Sequence, residues 1–260
     1  MKLLFGIGAI CLFCSIPLPA QQQEKENLEI YKVPRTLLAG EGLNSIKQKD
    51  PERTVYQKKI YDGNELAMYI IAIGTGITNE FKSFPLEEFI FWMNGKAKIE
   101  PVGEEPFEIQ TGDYFVQAKG FNGKWNFIDN GGLHLELSII AKNRPNSTIK
   151  SPITRALVIG RDMISGVSQV TNDSEIVYRG AELNVNVIHS KSMKFENVEH
   201  EKAFHVLSGV MTITNRISNS EQDLYPGDFF VIPQGFQGDW TSDSLQDLRV
   251  VEVYRASNKG

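Results

Sequence analysis

The sequence has few of the residues that hold metals or carry thiol chemistry. Its 260 residues include two cysteines and four histidines. Both cysteines, Cys11 and Cys14, fall within residues 1–20, which have the layout of a secretory signal peptide. Lys2 gives a basic start, a continuous apolar run follows, and Ala20 precedes a run of glutamines. Cleavage after Ala20 leaves a mature chain with no thiol for a disulfide, a nucleophile or a metal ligand.

The sequence also lacks an excess of basic residues and an apolar run long enough to span a membrane. The formal net charge is −5, and without a basic stripe the chain cannot neutralise the phosphates of a nucleic acid. The apolar run of the signal peptide is shorter than the ~20 residues of a membrane-spanning helix. We therefore expect an exported protein, periplasmic or secreted, with no membrane span and no nucleic-acid partner. A lipoprotein modified at Cys14 is the less favoured alternative, because the preceding residue is the bulky Phe13.

What the sequence does contain is an internal repeat. The segment GDYFVQAKGFNGKW, residues 112–125, matches GDFFVIPQGFQGDW, residues 227–240, at eight of fourteen positions and an offset of 115. Upstream, residues 87–99 match residues 201–213, and YDGNEL at Tyr61 matches YRGAEL at Tyr178. The order and spacing agree throughout, which indicates a duplicated domain. In both copies, short runs rich in Val, Ile, Phe and Tyr alternate with Gly, Pro and Asn, which predicts β-strands.

These motifs resemble those of the cupin superfamily. The first motif of that family ends in Glu, six residues and Gly, as do Glu88 and Gly95. The second motif has Gly, five residues, Pro, one residue, Gly, two residues and His, and Gly227, Pro233 and Gly235 match its start. The form GD-F/Y-FV followed by GFxGxW is most similar to the (S)-ureidoglycine aminohydrolase-like bicupins.

The resemblance implies an all-β fold with two tandem cupin barrels of the RmlC-like jelly-roll type in one chain. We expect a signal peptide at 1–20, an N-terminal arm at 21–50, a first barrel at 51–145, a linker at 146–170 and a second barrel at 171–260.

The resemblance also implies a metal held by histidines and a glutamate, but most of those positions have changed. The second-motif histidine position holds Gly123 and Gly238, and the glutamate position holds Glu88 in the first copy and Lys202 in the second. The first-motif histidine positions hold no histidine in either copy. We expect no cofactor. His200, two positions before Lys202, is the one candidate for a rearranged site, which would bind a divalent Mn, Fe, Ni or Zn.

Strand alternation suggests what fills the barrels instead. Trp125 and Trp240 share the face of the vacant histidine positions, either as core or as pocket walls beside the space that the glycines leave. Glu88 is either half of a structural ion pair, for example with Lys82, or a catalytic proton acceptor. The candidate ligand-pocket residues are Lys82, Glu88, Trp92, Trp125, Lys202 and Trp240.

The remaining histidines carry weaker expectations. His134 and Glu136 share one face of a strand, and a solvated face is favoured for both. His205 has the opposite parity to Lys202 and is expected to face outward.

Three functions fit this sequence. The favoured one is an exported bicupin that binds a small polar metabolite, sugar-like or ureide-like, without a conventional metal site. The second is a hydrolase or isomerase of the ureidoglycine aminohydrolase-like type with a rearranged site. The third is a packed structural or partner-binding bicupin. Homo-oligomerisation is compatible with all three.

Overall fold

The computed structural model describes residues 28–46, 55–129, 131–142, 157–159, 174–243, 245 and 247–256. These residues form two antiparallel β-barrels, each built from one large and one four-stranded sheet. The expected all-β fold with two barrels is confirmed. Residues 1–20, predicted to be a signal peptide, lie outside the described residues, as does most of the predicted linker. No helix in the described part of the chain is long and apolar enough to span a membrane.

The first half of the chain contributes one short helix and eleven of the described strands. In order they are β1 (Tyr31–Lys32), α1 (Arg35–Leu38), β2 (Asn44–Ile46), β3 (Val55–Asp62), β4 (Leu66–Gly74), β5 (Thr78–Phe81), β6 (Glu88–Asn94), β7 (Lys96–Pro101), β8 (Phe107–Gln110), β9 (Tyr114–Gln117), β10 (Gly123–Phe127) and β11 (Leu133–Ala141).

The second half repeats this arrangement. Its described strands are β12 (Leu157–Ile159), β13 (Ser174–Arg179), β14 (Leu183–Ile188), β15 (Ser192–Glu196), β16 (Lys202–Ser208), β17 (Met211–Asn215), β18 (Glu221–Leu224), β19 (Phe229–Ile232), β20 (Gln237–Thr241) and β21 (Arg249–Arg255). The first barrel has the sheet orders β12-β9-β6-β11-β4-β3-β2 and β5-β10-β7-β8, and the second has β1-β19-β16-β21-β14-β13 and β15-β20-β17-β18.

The two barrels pack through the outer faces of their large sheets. Strand β6 shows how the alternation works: Ile90 and Trp92 point into the first barrel, while Phe89 and Phe91 belong to the core between the barrels. One buried apolar cluster therefore includes residues of both barrels, and a separate cluster fills each interior.

Each barrel also receives a strand from the segment that precedes the other copy. Strand β1 pairs with β19 of the second barrel, and β12 pairs with β9 of the first. Val33, just after β1, and Ile159, at the end of β12, are both buried in the core between the barrels. The exchange makes each barrel depend on its partner.

The repeated Tyr-x-Gly-x-Glu-Leu motif fastens the barrels together. Glu201 accepts hydrogen bonds from the backbone N–H groups of residues 64–66 at 2.6, 2.9 and 2.9 Å. Glu87 accepts them from residues 181–183 at 2.8, 2.8 and 3.0 Å. A β-carbon on Gly63 or Gly180 would lie 2.3 or 2.1 Å from a carboxylate oxygen of Glu201 or Glu87. The repeat of this motif in both copies is thus explained by the contacts that it makes between the barrels.

Candidate functional site

The interior of the first barrel is closed at its centre by aromatic side chains. Trp92 and Trp125 are 0% and 3% exposed, and their ring centroids lie 5.9 Å apart. Phe127 stacks on Trp92 at 6.0 Å, and Phe115 meets Trp125 edge-on at 5.3 Å. This offset and T-shaped geometry is that of a packed aromatic core.

Trp240 occupies the equivalent place in the second barrel. Trp125 pairs with Ile99 on β7, and Trp240 pairs with Ile213 on β17, so the two indoles sit on corresponding strands as the repeat predicts. Trp240 is 0% exposed, and its Nε1–H donates to the Ser190 carbonyl at 3.2 Å. All three tryptophans therefore lie in apolar cores.

The glycines beside these indoles leave no free space. A β-carbon on Gly123 would lie 2.6 Å from the Glu100 carbonyl oxygen and 2.7 Å from the Phe121 ring. On Gly238 it would lie 2.4 Å from the Thr214 carbonyl oxygen and 2.5 Å from Phe236. The expectation of room beside the indoles is wrong, because a phenylalanine ring and the neighbouring strand occupy that position.

The side chains present do not fit a cupin-type metal. Within the described ranges, no group of three or more His, Cys, Asp and Glu side chains lies close enough to hold an ion. His200 does not enter the second barrel: its Nδ1 lies 3.0 Å from the Glu65 carboxylate of the first barrel. Its contact with Glu65 places His200 between the barrels, away from a rearranged site around Lys202.

His134 and Glu136 are not on a solvated face. They are 1% and 3% exposed, and His134 Nε2 lies 2.6 Å from Glu136 Oε2. His134 Nδ1 lies 2.9 Å from the Asn94 carbonyl, to which it donates, and the imidazole packs on Trp92 with 3.8 Å between ring centroids. The preference for a solvated face is wrong, because this side of β11 faces the first barrel's interior.

Polar groups gather instead at one end of the first barrel, which we call mouth 1 and define by Glu88, Gln117, Ser138 and Tyr69. Glu88 is half-buried and accepts a hydrogen bond from the Ser138 hydroxyl. Gln117, opposite Glu88 in the β6–β9 pair, is completely buried. Neither its amide oxygen nor its amide nitrogen has a hydrogen-bond partner in the described protein.

A cavity of about 350 Å³ lies beside mouth 1 and shares Tyr69 with it, whereas Glu88, Gln117 and Ser138 do not line it. Tyr69 and Ile140 line it, and these residues pair across the sheet with Ser138 and Glu88 respectively. Its lining also includes charged side chains from β3 and from the residue after β11, namely Lys59, Asp62 and Lys142. Asp62 accepts hydrogen bonds from both lysines, which hold its pKa below the usual range, at about 2.

Lys82 lies away from mouth 1. Its side chain is 84% exposed, and its ion-pair partner is Glu80, at 3.9 Å, rather than Glu88. It lines a separate surface cavity of about 520 Å³ beside Phe121 and Lys124.

The equivalent end of the second barrel, mouth 2, is filled by a polar cluster, in which the amide oxygen of Asn186 has no hydrogen-bond partner in the described protein. Lys202 Nζ lies 2.6 Å from Glu252 Oε1, and Asn186 Nδ2 donates to Glu252 Oε2 at 2.6 Å. The Lys202 ammonium also lies 5.4 Å from the Tyr254 ring centroid. The Lys202–Glu252 contact corresponds to the Glu88–Ser138 contact in mouth 1. Lys202 and Glu88 are the first residues of β16 and β6, and Glu252 and Ser138 occupy equivalent positions of β21 and β11.

Sequence reasoning identified Glu88 and Lys202 but missed Gln117, Ser138, Asn186 and Glu252. The repeat contained a usable signal for Gln117. At the offset of 115 its counterpart is Ile232, so an interior position that is apolar in one copy is polar in the other.

Comparisons with known proteins support the fold. Residues 67–130 and 190–245 match the EutQ-like cupin domain. A cupin 2 conserved barrel domain protein from Leptotrichia buccalis has a TM-score of 0.56 and 13% identity over 81% of this chain and 92% of its own. A protein of unknown function from Pseudomonas syringae has a TM-score of 0.62 and 15% identity over 87% and 99%.

A third similar structure is an enzyme. Streptomyces albus HEPD, solved with 2-hydroxyethylphosphonate and Fe(II), has a TM-score of 0.57 and 8% identity over 94% of this chain and 79% of its own. A search of the curated proteins found no significant match. At these identities the likeness establishes the fold alone. The similarity to the ureidoglycine aminohydrolase-like branch stays a prediction.

Proposed function

Since the chain consists of two tandem cupin barrels, we propose that it is an exported bicupin that binds a small polar metabolite at mouth 1. The metabolite is sugar-like or ureide-like, and the site uses hydrogen bonds rather than a conventional cupin metal. The second barrel and the aromatic interiors serve as the scaffold that holds mouth 1 in shape.

The buried amide of Gln117 carries this proposal. A buried polar group without a hydrogen-bond partner costs about 1–3 kcal/mol, and Gln117 has two such atoms. Sugars and ureides present a donor and an acceptor close together, which matches what an amide requires. Glu88 and Ser138, bonded to each other beside Gln117, supply further polar contacts.

The difference between the two copies supports the choice of the first barrel. Where mouth 1 has Gln117, mouth 2 has Ile232, which is buried and apolar. The charged groups of mouth 2 bond to one another in the Lys202–Glu252–Asn186 cluster. Mouth 2 leaves one buried amide atom, Asn186 Oδ1, without a partner, whereas both amide atoms of Gln117 lack one in mouth 1. The larger unmet demand for hydrogen bonds is therefore in mouth 1.

A packed structural or partner-binding role is the second candidate, and the dense aromatic interiors favour it. A hydrolase or isomerase has less support, because the buried His134–Glu136 pair is sealed beneath Trp92 and the cupin metal positions are blocked.

The test replaces Gln117 by the residue of the other copy. Neutral monosaccharides and ureides, including glucose and allantoin, are screened by thermal shift, because a ligand of the native state raises the melting temperature. We expect Gln117→Ile to fold with unchanged or higher stability and to lose the shift. Lys82→Gln, on the distant surface, is the matched control. A shift that survives in Gln117→Ile contradicts the site, and a panel without any shift favours the packed scaffold.

Two further measurements address the metal and the export. Elemental analysis after dialysis is expected to find no stoichiometric Mn, Fe, Ni or Zn, and such a metal would favour the enzyme alternative. N-terminal sequencing of the protein from its host is expected to begin at Gln21. A diacylglyceryl group on Cys14 would contradict the soluble exported form.

A further inference from the structure

A second and chemically different cavity lies between the barrels. It has a volume of about 710 Å³, within the range typical of small-molecule sites. We call it the inter-barrel cleft. Its apolar walls come from both large sheets, with Phe91 and Met93 on the first barrel and Leu207 and Phe229 on the second. It shares no lining residue with mouth 1, so it is independent of the proposed function.

The polar pair in this cleft carries no charge at neutral pH. Tyr114 and His205 line it and are hydrogen-bonded to each other. Burial lowers the pKa of His205 to about 3, although the Asp228 carboxylate opposes the shift. Burial also raises the pKa of the Tyr114 hydroxyl. Both side chains are therefore neutral walls of the cleft.

Arg249 supplies the positive charge. Of the described residues that line the cleft, it alone is ionised at neutral pH. It stands at the start of β21, paired with Ser208, and both residues line the cleft. The charge of Arg249 also affects His189. Burial is the largest cause that lowers the pKa of His189, and the positive charge of Arg249 is the second.

The arginine belongs to one side of the cleft only. In the second copy Ser208 pairs with Arg249. The equivalent of Ser208 in the first copy is Asn94, which pairs with Leu135, so a leucine stands in place of the arginine. The N-terminal arm lies against that leucine, since a β-carbon on Gly40 would be 3.5 Å from Leu135 and 3.7 Å from Leu43. Apolar contacts thus cover one half of the pseudo-symmetric surface, and the other half has an arginine among its apolar walls.

From this combination we propose that the inter-barrel cleft binds a monocarboxylate with an aromatic or aliphatic body. The body packs among Phe91, Met93, Leu207 and Phe229, and the carboxylate pairs with Arg249. A guanidinium binds a carboxylate through two parallel hydrogen bonds, which fixes the orientation of such a ligand. An uncharged molecule of the same shape would gain only the apolar contacts.

The test compares 4-phenylbutyrate with 4-phenylbutan-1-ol by titration calorimetry on the full mature chain. These probes share a body and differ in the group that would meet Arg249. We expect Arg249→Gln to weaken 4-phenylbutyrate about tenfold or more, because charge-assisted hydrogen bonds are lost, and to leave the alcohol unchanged. Arg249→Lys restores part of the preference. Arg179→Gln, an equal charge change at an exposed position, leaves both affinities unchanged.

Blocking the cleft is the second arm. Leu207→Trp is expected to abolish binding of both probes, with circular dichroism and the unfolding transition used to verify that it folds. Three results overturn the proposal: no binding of 4-phenylbutyrate up to millimolar concentration, equal effects of Arg249→Gln and Arg179→Gln, or unchanged binding in folded Leu207→Trp. Gln117→Ile, which alters mouth 1, is expected to bind 4-phenylbutyrate normally.

Discussion

Tyr114 and His205 are hydrogen-bonded across the contact between the barrels, at a place where the repeat has two phenylalanines. By the offsets of 114 and 115, His205 corresponds to Phe91 and Tyr114 corresponds to Phe229. Phe91 and Phe229 face each other with ring centroids 5.5 Å apart, against 5.8 Å for Tyr114 and His205. The same inter-barrel contact is therefore made once by a polar pair and once by an apolar pair.

Replacing the polar pair by its apolar counterpart provides a double-mutant test. Tyr114→Phe alone leaves a buried imidazole nitrogen without a partner, at an expected cost of about 1–3 kcal/mol in the free energy of unfolding. His205→Phe alone leaves the hydroxyl unpaired at a similar cost. The double variant recreates the Phe91–Phe229 contact, so we expect it to cost clearly less than the sum. Urea unfolding followed by tryptophan fluorescence measures all three, and strictly additive costs would contradict the coupling.

The same histidine predicts acid sensitivity. In the unfolded chain His205 takes up a proton near its ordinary pKa of 6.5, whereas in the folded protein burial lowers that pKa to about 3. The unfolded state therefore binds more protons between these values, and stability falls as the pH drops from 6.5 toward 3. We expect His205→Phe to flatten this dependence most visibly between about pH 6.5 and 5, above the range where ordinary carboxylates titrate. Parallel pH curves for the two proteins would show that His205 has the same pKa in the folded and unfolded states, which would contradict the prediction.

The repeat, with the Gly, Pro and Asn residues that separate its predicted strands, predicted most of the fold. The positions of Gly112, Gly227 and the GFxGxW segments determined that corresponding strands, with Trp125 and Trp240 on them, recur in two barrels. The sequence could not show the exchange of β1 and β12 between barrels, because two- and three-residue strands have too little periodicity to be recognised. Nor could it show that the Tyr-x-Gly-x-Glu-Leu motif serves contact rather than chemistry, since that depends on which turn faces Glu87 and Glu201.

The site was less predictable than the fold. Strand alternation correctly predicted that the side chains of Trp92 and Trp125 point into the first barrel. It does not reveal how much space remains beside them. The ring of Phe121 fills the position next to Gly123, and that contact depends on packing in three dimensions. Strand parity also left the face of His134 undetermined, because no neighbouring residue of known orientation fixed the register of β11.

The glycines of the inter-barrel motif should not tolerate even one extra carbon. Gly63→Ala and Gly180→Ala place a methyl group against carboxylates that are each held by three backbone N–H groups. We expect each to lower the free energy of unfolding by about 1–3 kcal/mol, the usual cost of overpacking. Gly74→Ala is the matched control, since nothing lies within 4 Å of its β-carbon. Equal stability of all three variants would show that the carboxylates move aside at no cost.

The tryptophans should behave as core residues. Truncating Trp125 or Trp240 to alanine is expected to cost about 3–5 kcal/mol of stability, as for other large buried aromatics. The measurement is urea unfolding followed by circular dichroism, because the variants lose a fluorophore. A cost below about 1 kcal/mol would be typical of a surface or pocket-wall residue and would reopen the alternative that the indoles line a ligand cavity.

Reintroducing the family's histidine should not restore a metal site. In Gly123→His the new β-carbon would lie 2.6 Å from the Glu100 carbonyl oxygen, which belongs to the backbone of β7 and cannot rotate away. Removing the other obstacle with Phe121→Ala leaves that clash in place, so we expect both the single and the double variant to be destabilised by at least about 1–3 kcal/mol. We also expect neither to bind zinc or nickel stoichiometrically, because one imidazole and Glu88 do not complete a coordination sphere. Unfolding curves and metal titration are the measurements, with Gly74→His as a control for adding a histidine to a strand end that has open space. A Gly123→His protein of normal stability with one tightly bound zinc would show that the glycine replaced the ligand without closing the site.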